Sequence, residues 1–171
     1  MDIFVEYMVK RKMPLQVRIL NIVCWVFGII IALAILFSGQ KLSGGLKALL
    51  AAGVIYVLWR FVSSGNLEFE YALTNDEFEV DKIIAKKRRK RIVSIKCSEI
   101  GIMAPVNSNE YESRKNNKTY EKLIDTSSGL LSENLYFADF SYKQQRVRML
   151  FEPNDKMKLS MKTFNPHNII L

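Results

Sequence analysis

The residues able to do chemistry are few, and they are poorly placed for it. His167 is the only histidine. It lies past the last predicted helix, away from the acid and serine that a Ser-His-Asp relay needs. Asp125-Thr126-Ser127-Ser128-Gly129 is rich in hydroxyls but lacks the Gly-x-Ser-x-Gly spacing that raises a nucleophilic serine on a strand-to-helix elbow. It reads as a strand ending in a turn. Glu110 and Glu112 sit in a polar loop that offers no pocket for paired-carboxylate chemistry. Cys24 and Cys97 fall in different parts of the chain, without a Cys-x-x-Cys or any metal spacing, and read as small buried hydrophobes. No glycine-rich phosphate loop is present. The expectation is a protein that is not an enzyme and uses no cofactor or metal.

One constellation remains. Lys86, Lys87, Arg88, Arg89, Lys90 and Arg91 are six consecutive cations in a chain of net charge +8. Single-stranded nucleic acid is bound by a basic surface together with exposed stacking aromatics. Phe69, Tyr71, Phe78 and Phe137 instead fall at core-like positions, so nucleic acid is not an expected partner. Basic residues also flank membrane helices on the cytoplasmic side, and an anionic leaflet attracts each by roughly 1 kcal/mol close to the surface. The run is therefore a candidate contact for anionic lipid head groups or an acidic partner. The plainer alternative is a solvated hairpin, its charge partly offset by Glu68, Glu70, Glu77, Glu79 and Asp81 on neighbouring strands.

The element that positions this run is Val17 to Ser64. From Ile19 to Gln40 no residue is charged, and Ile22 to Phe37 is apolar throughout. A spanning helix needs roughly 20 largely apolar residues, and no polar stripe of the kind a soluble helix shows is visible. Two transmembrane helices are predicted, about 17–37 and 46–63, joined by the breakers Ser38 to Gly45. Lys47 and Arg60 can snorkel, and Tyr56 and Trp59 approach an interface as aromatic anchors. Ala48, Ala51, Ala52 and Gly53 are small enough to let the helices approach closely, or they merely fill the helix. The apolar run starts late and lacks a clean cleavage site, so it reads as an uncleaved anchor rather than a signal peptide.

Ahead of it, residues 1–16 carry Ile3, Phe4, Tyr7 and Met8 at helical spacing, with acids first and Lys10-Arg11-Lys12 last. That order suits a helix dipole. The segment reads either as an amphipathic helix in the membrane interface or as a leader packed on the soluble part. Lys10, Arg11, Lys12 and Arg18 precede the first helix, whereas the hairpin turn and its edge carry only Lys41 and Lys47. Both termini are therefore expected to be cytoplasmic, in a multi-pass protein of the cell membrane.

After the small polar linker 63–66 the period changes to two. Residues 65–171 are predicted as a β domain of seven short antiparallel strands and a closing helix. Leu67 to Thr74 and Phe78 to Val80 form a hairpin about Asn75-Asp76. Strands follow at Val93 to Cys97, Ile100 to Val106, Lys122 to Thr126, Leu135 to Tyr142 and Gln145 to Glu152. Asn107 to Lys118 reads as a mobile loop, and Asn117-Lys118-Thr119 at its end matches a glycosylation pattern by chance. Met157, Met161 and Phe164 mark one apolar stripe of a helix at about 154–164, stopped by Asn165-Pro166.

The order of seven strands and one amphipathic helix, the phrase Glu70-Tyr71-Ala72-Leu73-Thr74-Asn75-Asp76-Glu77-Phe78-Glu79-Val80 and the entry Phe151-Glu152-Pro153-Asn154-Asp155 resemble the pleckstrin-homology-like domains of bacterial membrane proteins. The whole chain is similar to small two-helix membrane proteins of Gram-positive bacteria. That resemblance implies an α+β protein, with a transmembrane hairpin followed by a seven-stranded barrel or sandwich that its C-terminal helix plugs. It implies no catalytic residues. The function so expected is membrane-anchored binding or scaffolding at the cytoplasmic surface, the partners being the bilayer and either anionic head groups or a membrane protein. The alternative is an accessory subunit of a larger transport or secretion complex. A transporter or channel is disfavoured, because no ionisable group lies at mid-membrane.

Overall fold

The computed structural model describes residues 3–39, 43–115, 120–129 and 134–171, with the backbone alone at Ser63 and Ser64. The middle of the turn between the apolar helices and the Asn117-Lys118-Thr119 pattern lie outside them. The chain is a mixed α+β protein of two units. Met1–Lys12 joins Leu67–Leu171 in one, and Met13–Asn66 forms the other.

In the smaller unit α1 (Leu15–Phe37) follows Pro14, and α2 (Gly44–Ser64) returns antiparallel to it. Leu15–Phe37 and Gly44–Val62 are long and apolar enough to cross a membrane by length and composition. The close approach is made by α1. A Cβ on Gly28 would fall 1.8 Å from Leu58 Cδ1, so only glycine lets Leu58 seat there. Ala32 and Ala51 are buried, whereas Ala48, Ala52 and Gly53 face outward. Of the four small α2 residues only Ala51 meets the expectation of close packing. The large Leu58 enters a gap left by α1 instead. Lys47 donates to the Ser38 carbonyl and ties the two helix ends together.

The larger unit holds two four-stranded sheets. In the first, β1 (Phe4–Lys10), β2 (Leu67–Thr74), β3 (Glu77–Ile84) and β4 (Arg88–Lys96) are antiparallel neighbours in that order. The second contains β5 (Ile100–Pro105), β6 (Lys122–Asp125), β7 (Tyr136–Tyr142) and β8 (Gln145–Phe151), in the order β5-β7-β8-β6. Alternation in β2, β3, β4, β7 and β8 buries Phe69, Tyr71, Phe78, Val80, Val93, Ala138, Val147, Met149 and Phe151 in one core with Met157 and Met161 of α4 (Asp155–Phe164). Tyr71 meets Phe151 edge-on at 5.9 Å. Asn154 caps α4 by accepting the Met157 amide at 2.8 Å. At the other end the Asn165 amide donates to the carbonyls of Cys97 and Ile100, at 2.9 and 2.8 Å.

Four expectations are corrected. Residues 4–10 are a strand, not an interfacial helix. Pairing with β2 buries Val5 and Val9, and so short an isolated helix is marginal. The apolar pair is thus inserted between two neighbouring strands of one sheet rather than placed ahead of the domain. Among the described residues the strands number eight, and β6 runs parallel to β8, because the long β6–β7 connection permits a crossover that a tight hairpin does not. Among the described residues the sheets form no closed barrel. Within the supposed loop, Asn109–Lys115 is a helix, α3. Ser108 Oγ accepts the Tyr111 amide at 3.4 Å, and the acids Glu110 and Glu112 precede the bases Arg114 and Lys115, as the helix dipole favours.

The hydroxyl-rich turn after β6 is structural. Ser127 Oγ donates to Asp125 Oδ1 at 2.7 Å, and Ser128 Oγ to Glu152 Oε1 at 2.8 Å. Arg11 Nη2 reaches Asp125 Oδ2 at 2.9 Å, and the Lys12 amide donates to the Ser128 carbonyl at 2.8 Å. This clasp ties the end of β1 to the second sheet at the point where the chain departs toward α1.

Candidate functional site

The basic run folds as a turn and the first half of a strand. Ile84 accepts the Lys87 amide at 3.0 Å. Ala85 and Lys86 between them both take positive φ, 51° and 56°, the backbone twist that suits a tight hairpin connection, and residues 85–87 separate the paired strand ends. Arg88 to Arg91 then pair with β3: Arg88 with Ile84, Arg89 with Ile83, Lys90 with Lys82 and Arg91 with Asp81. Strand pleating sends successive side chains to opposite faces, so the six cations divide.

Arg89 and Arg91 share a face with the acids of β2 and β3. Arg89 bonds Glu70 and lies 3.9 Å from Asp81. Arg91 bonds both Asp81 and Glu79. The Glu70 and Asp81 side chains are almost wholly buried. Burial pushes the Glu70 carboxyl above its ordinary pKa; the Arg89 charge opposes this, and Glu6 adds to it. These two arginines are therefore counter-ions of the fold. Arg88 and Lys90 project from the opposite face with Lys82, and Lys86 stands exposed in the turn. The acids Glu70, Glu79 and Asp81 thus offset Arg89 and Arg91, while Glu68 faces Lys10 of β1, and Lys86, Arg88 and Lys90 are left basic.

Register also locates the run. Leu67, where the chain re-enters this unit, pairs with Ile84, and Ile84 with Arg88. Arg88 is thus two strand spacings, about 10 Å, from Leu67. Lys10, the last residue of β1, pairs with Glu68. Lys86, Lys87 and Arg88 therefore lie at the same strand ends as both junctions with the apolar helices.

Sequence reasoning missed a second cluster, on the outer face of the other sheet. Arg148 alternates out of the core, yet it is only 1% exposed. Its Nε and Nη2 each donate to Asp139 at 2.7 Å. Tyr120, Phe137 and Tyr111 surround its guanidinium at 4.5, 5.1 and 5.7 Å. The hydrogen bonds to Asp139 raise the Arg148 pKa further, so the guanidinium stays charged. The two-residue turn at Lys143-Gln144 sets the register that opposes Asp139 to Arg148, and that pairing is a signal legible in the sequence. The cover of Tyr111 on Phe137 is not, because it depends on α3. Burial pushes the Cys97 thiol up to about 12 and leaves it unreactive. Among the described residues no cluster of metal-ligating side chains occurs.

Two sheets and a C-terminal helix that fills the core between them define a pleckstrin-homology-like domain. The chain belongs to the family described as Bacterial PH-like domain (DUF6106), whose match covers residues 1–171. No curated protein and no solved structure matches it.

Proposed function

We propose that this protein is a membrane-anchored binding or scaffolding module without enzymatic activity, in which α1 and α2 cross the cell membrane and the PH-like unit lies on its cytoplasmic face. The supporting observation is the insertion of the apolar pair between β1 and β2. Two strands of one sheet lie on one side of a bilayer, so the helices entering and leaving between them form an even number of spans. The outward surfaces of both helices are apolar, with Phe27 of α1 62% and Phe61 of α2 73% exposed, and lipid is the solvent that suits them. The excess of Lys and Arg at these junctions selects the cytoplasmic side.

On this reading Lys86, Arg88 and Lys90 are the residues that meet anionic head groups, because they are basic, near the junctions and not matched by the acids of β2 and β3. The protein should stay with membranes after an alkaline carbonate wash, and protease added to inside-out vesicles should digest the β unit. Release by carbonate would defeat the anchoring. For the contact itself, the β unit with its helices replaced by a short linker should cosediment with anionic vesicles. Lys86→Gln/Arg88→Gln/Lys90→Gln should bind several-fold less, and equal binding would end the lipid assignment.

The accessory-subunit reading is favoured by one feature, the outward-facing small residues Ala48, Ala52 and Gly53 of α2, a surface that a partner helix can approach closely. Stoichiometric recovery of a second membrane protein in mild detergent would support it.

A further inference from the structure

A cleft of about 270 Å³ opens on the outer face of the second sheet, lined by Glu99, Arg114, Tyr120, Asp139, Ser141 and Arg146. Its floor is rigid, because Arg148 occupies and neutralises both oxygens of Asp139. The other two arginines are not so engaged. Arg114 Nε lies 3.9 Å from Glu110 and Arg146 Nε 3.7 Å from Glu121, beyond hydrogen-bond reach. Such exposed pairs contribute little and exchange readily for a better acceptor. Arg11, Arg89, Arg91 and Arg148 of the same unit all bond carboxylates. Arg114 and Arg146 therefore present two guanidinium forks to one cavity, a geometry that suits a tetrahedral oxyanion.

Glu99 sets the specificity. It faces the same cleft, and among the described residues its Oε2 accepts the Lys96 amide alone, at 3.4 Å. A carboxylate there repels an oxyanion that carries no proton but accepts a hydrogen bond from one that does. We infer that the cleft binds hydrogen phosphate, with Arg114 and Arg146 as donors to its oxygens and Glu99 as acceptor of its P–OH. The source is a solute rather than a lipid. β4 runs from Arg88 at the junction end to Lys96 beside this cleft, about 25 Å away. Only this statement about source rests on the proposed anchoring.

The test is calorimetric titration of the full-length protein in detergent with sodium phosphate and sodium sulfate at matched ionic strength. Phosphate should saturate and sulfate should bind about tenfold more weakly, the cost of an unmet charged hydrogen bond. Arg114→Gln/Arg146→Gln should lose phosphate binding with Tm unchanged, since neither guanidinium is part of the core. Glu99→Gln should close the gap between the two anions. Absence of saturation, or equal binding by the double arginine variant, would overturn the site. Equal phosphate and sulfate binding by the native protein would overturn the role of Glu99. Repeating the titration in nanodiscs with and without anionic lipid should give the same affinity, and competition by the anionic lipid would overturn the solute source while leaving anchoring intact.

Discussion

The amide of Arg11 donates to the carbonyl of Leu67 at 2.9 Å, although the whole apolar hairpin separates them in the chain. The two residues flank the chain crossings between the units, so the PH-like unit is assembled from two segments whose cut ends are neighbours. Several consequences for stability depend on this.

The first concerns β1. A chain beginning at Leu67 lacks the strand that buries Val5 and Val9 and exposes the β2 edge, so it should aggregate or remain unfolded. Residues 1–12 joined to Leu67 by a short Gly/Ser linker should give a soluble domain with a cooperative urea transition, because the ends need little reach. Equal stability of the truncated chain would show that β1 is dispensable.

The buried pair Arg148–Asp139 provides the sharpest energetic test. Asp139→Ala strands a guanidinium at 1% exposure, and breaking such a pair costs about 3–5 kcal/mol. Replacing both partners, Arg148→Met with Asp139→Leu, should recover most of that loss, since a buried pair is often no better than apolar residues of similar volume. Urea denaturation of the two variants measures the difference.

Glu70 makes the fold sensitive to pH. Its carboxyl is held above the ordinary value, chiefly by burial, so the native state binds this proton more tightly than the unfolded chain. Its contribution to stability is fully present below the ordinary glutamate range and is lost as pH rises through the elevated native value. Glu70→Gln should flatten that part of the stability–pH curve. An unchanged slope would place the titration elsewhere.

Arg89 and Arg91 should behave unlike their neighbours in the run. Arg89→Gln/Arg91→Gln leaves the buried carboxylates of Glu70 and Asp81 without their charged partners, at a cost of about 1–3 kcal/mol for each group left unsatisfied. Lys86→Gln/Arg88→Gln/Lys90→Gln should shift Tm little. Thermal melts of the two variants separate fold counter-ions from surface charge.

Gly28 tests the hairpin. A leucine there would collide with Leu58, which already lies 1.8 Å from the position of a Cβ, and should force α1 and α2 apart. Gly53→Leu, where the Cβ position is open, should be tolerated. Crosslinking between cysteines placed on the two helices reads the spacing.

Much of this was legible from residue patterns, because burial imposes its period directly. Uninterrupted apolar runs predict α1 and α2, alternation predicts β2, β3, β7 and β8, and the stripe Met157, Met161 and Phe164 predicts α4. The segment from Phe4 to Lys10 misleads because its apolar residues suit either period, and only pairing with Leu67–Thr74 decides between them. Likewise the sequence by itself determined that six cations stand in a row at 86–91, since that is covalent fact. Tertiary structure alone decided that Arg89 and Arg91 neutralise buried acids while Lys86, Arg88 and Lys90 do not. The physical reason is that a side chain's charge is local, but what offsets it is supplied by whichever strand the register brings alongside.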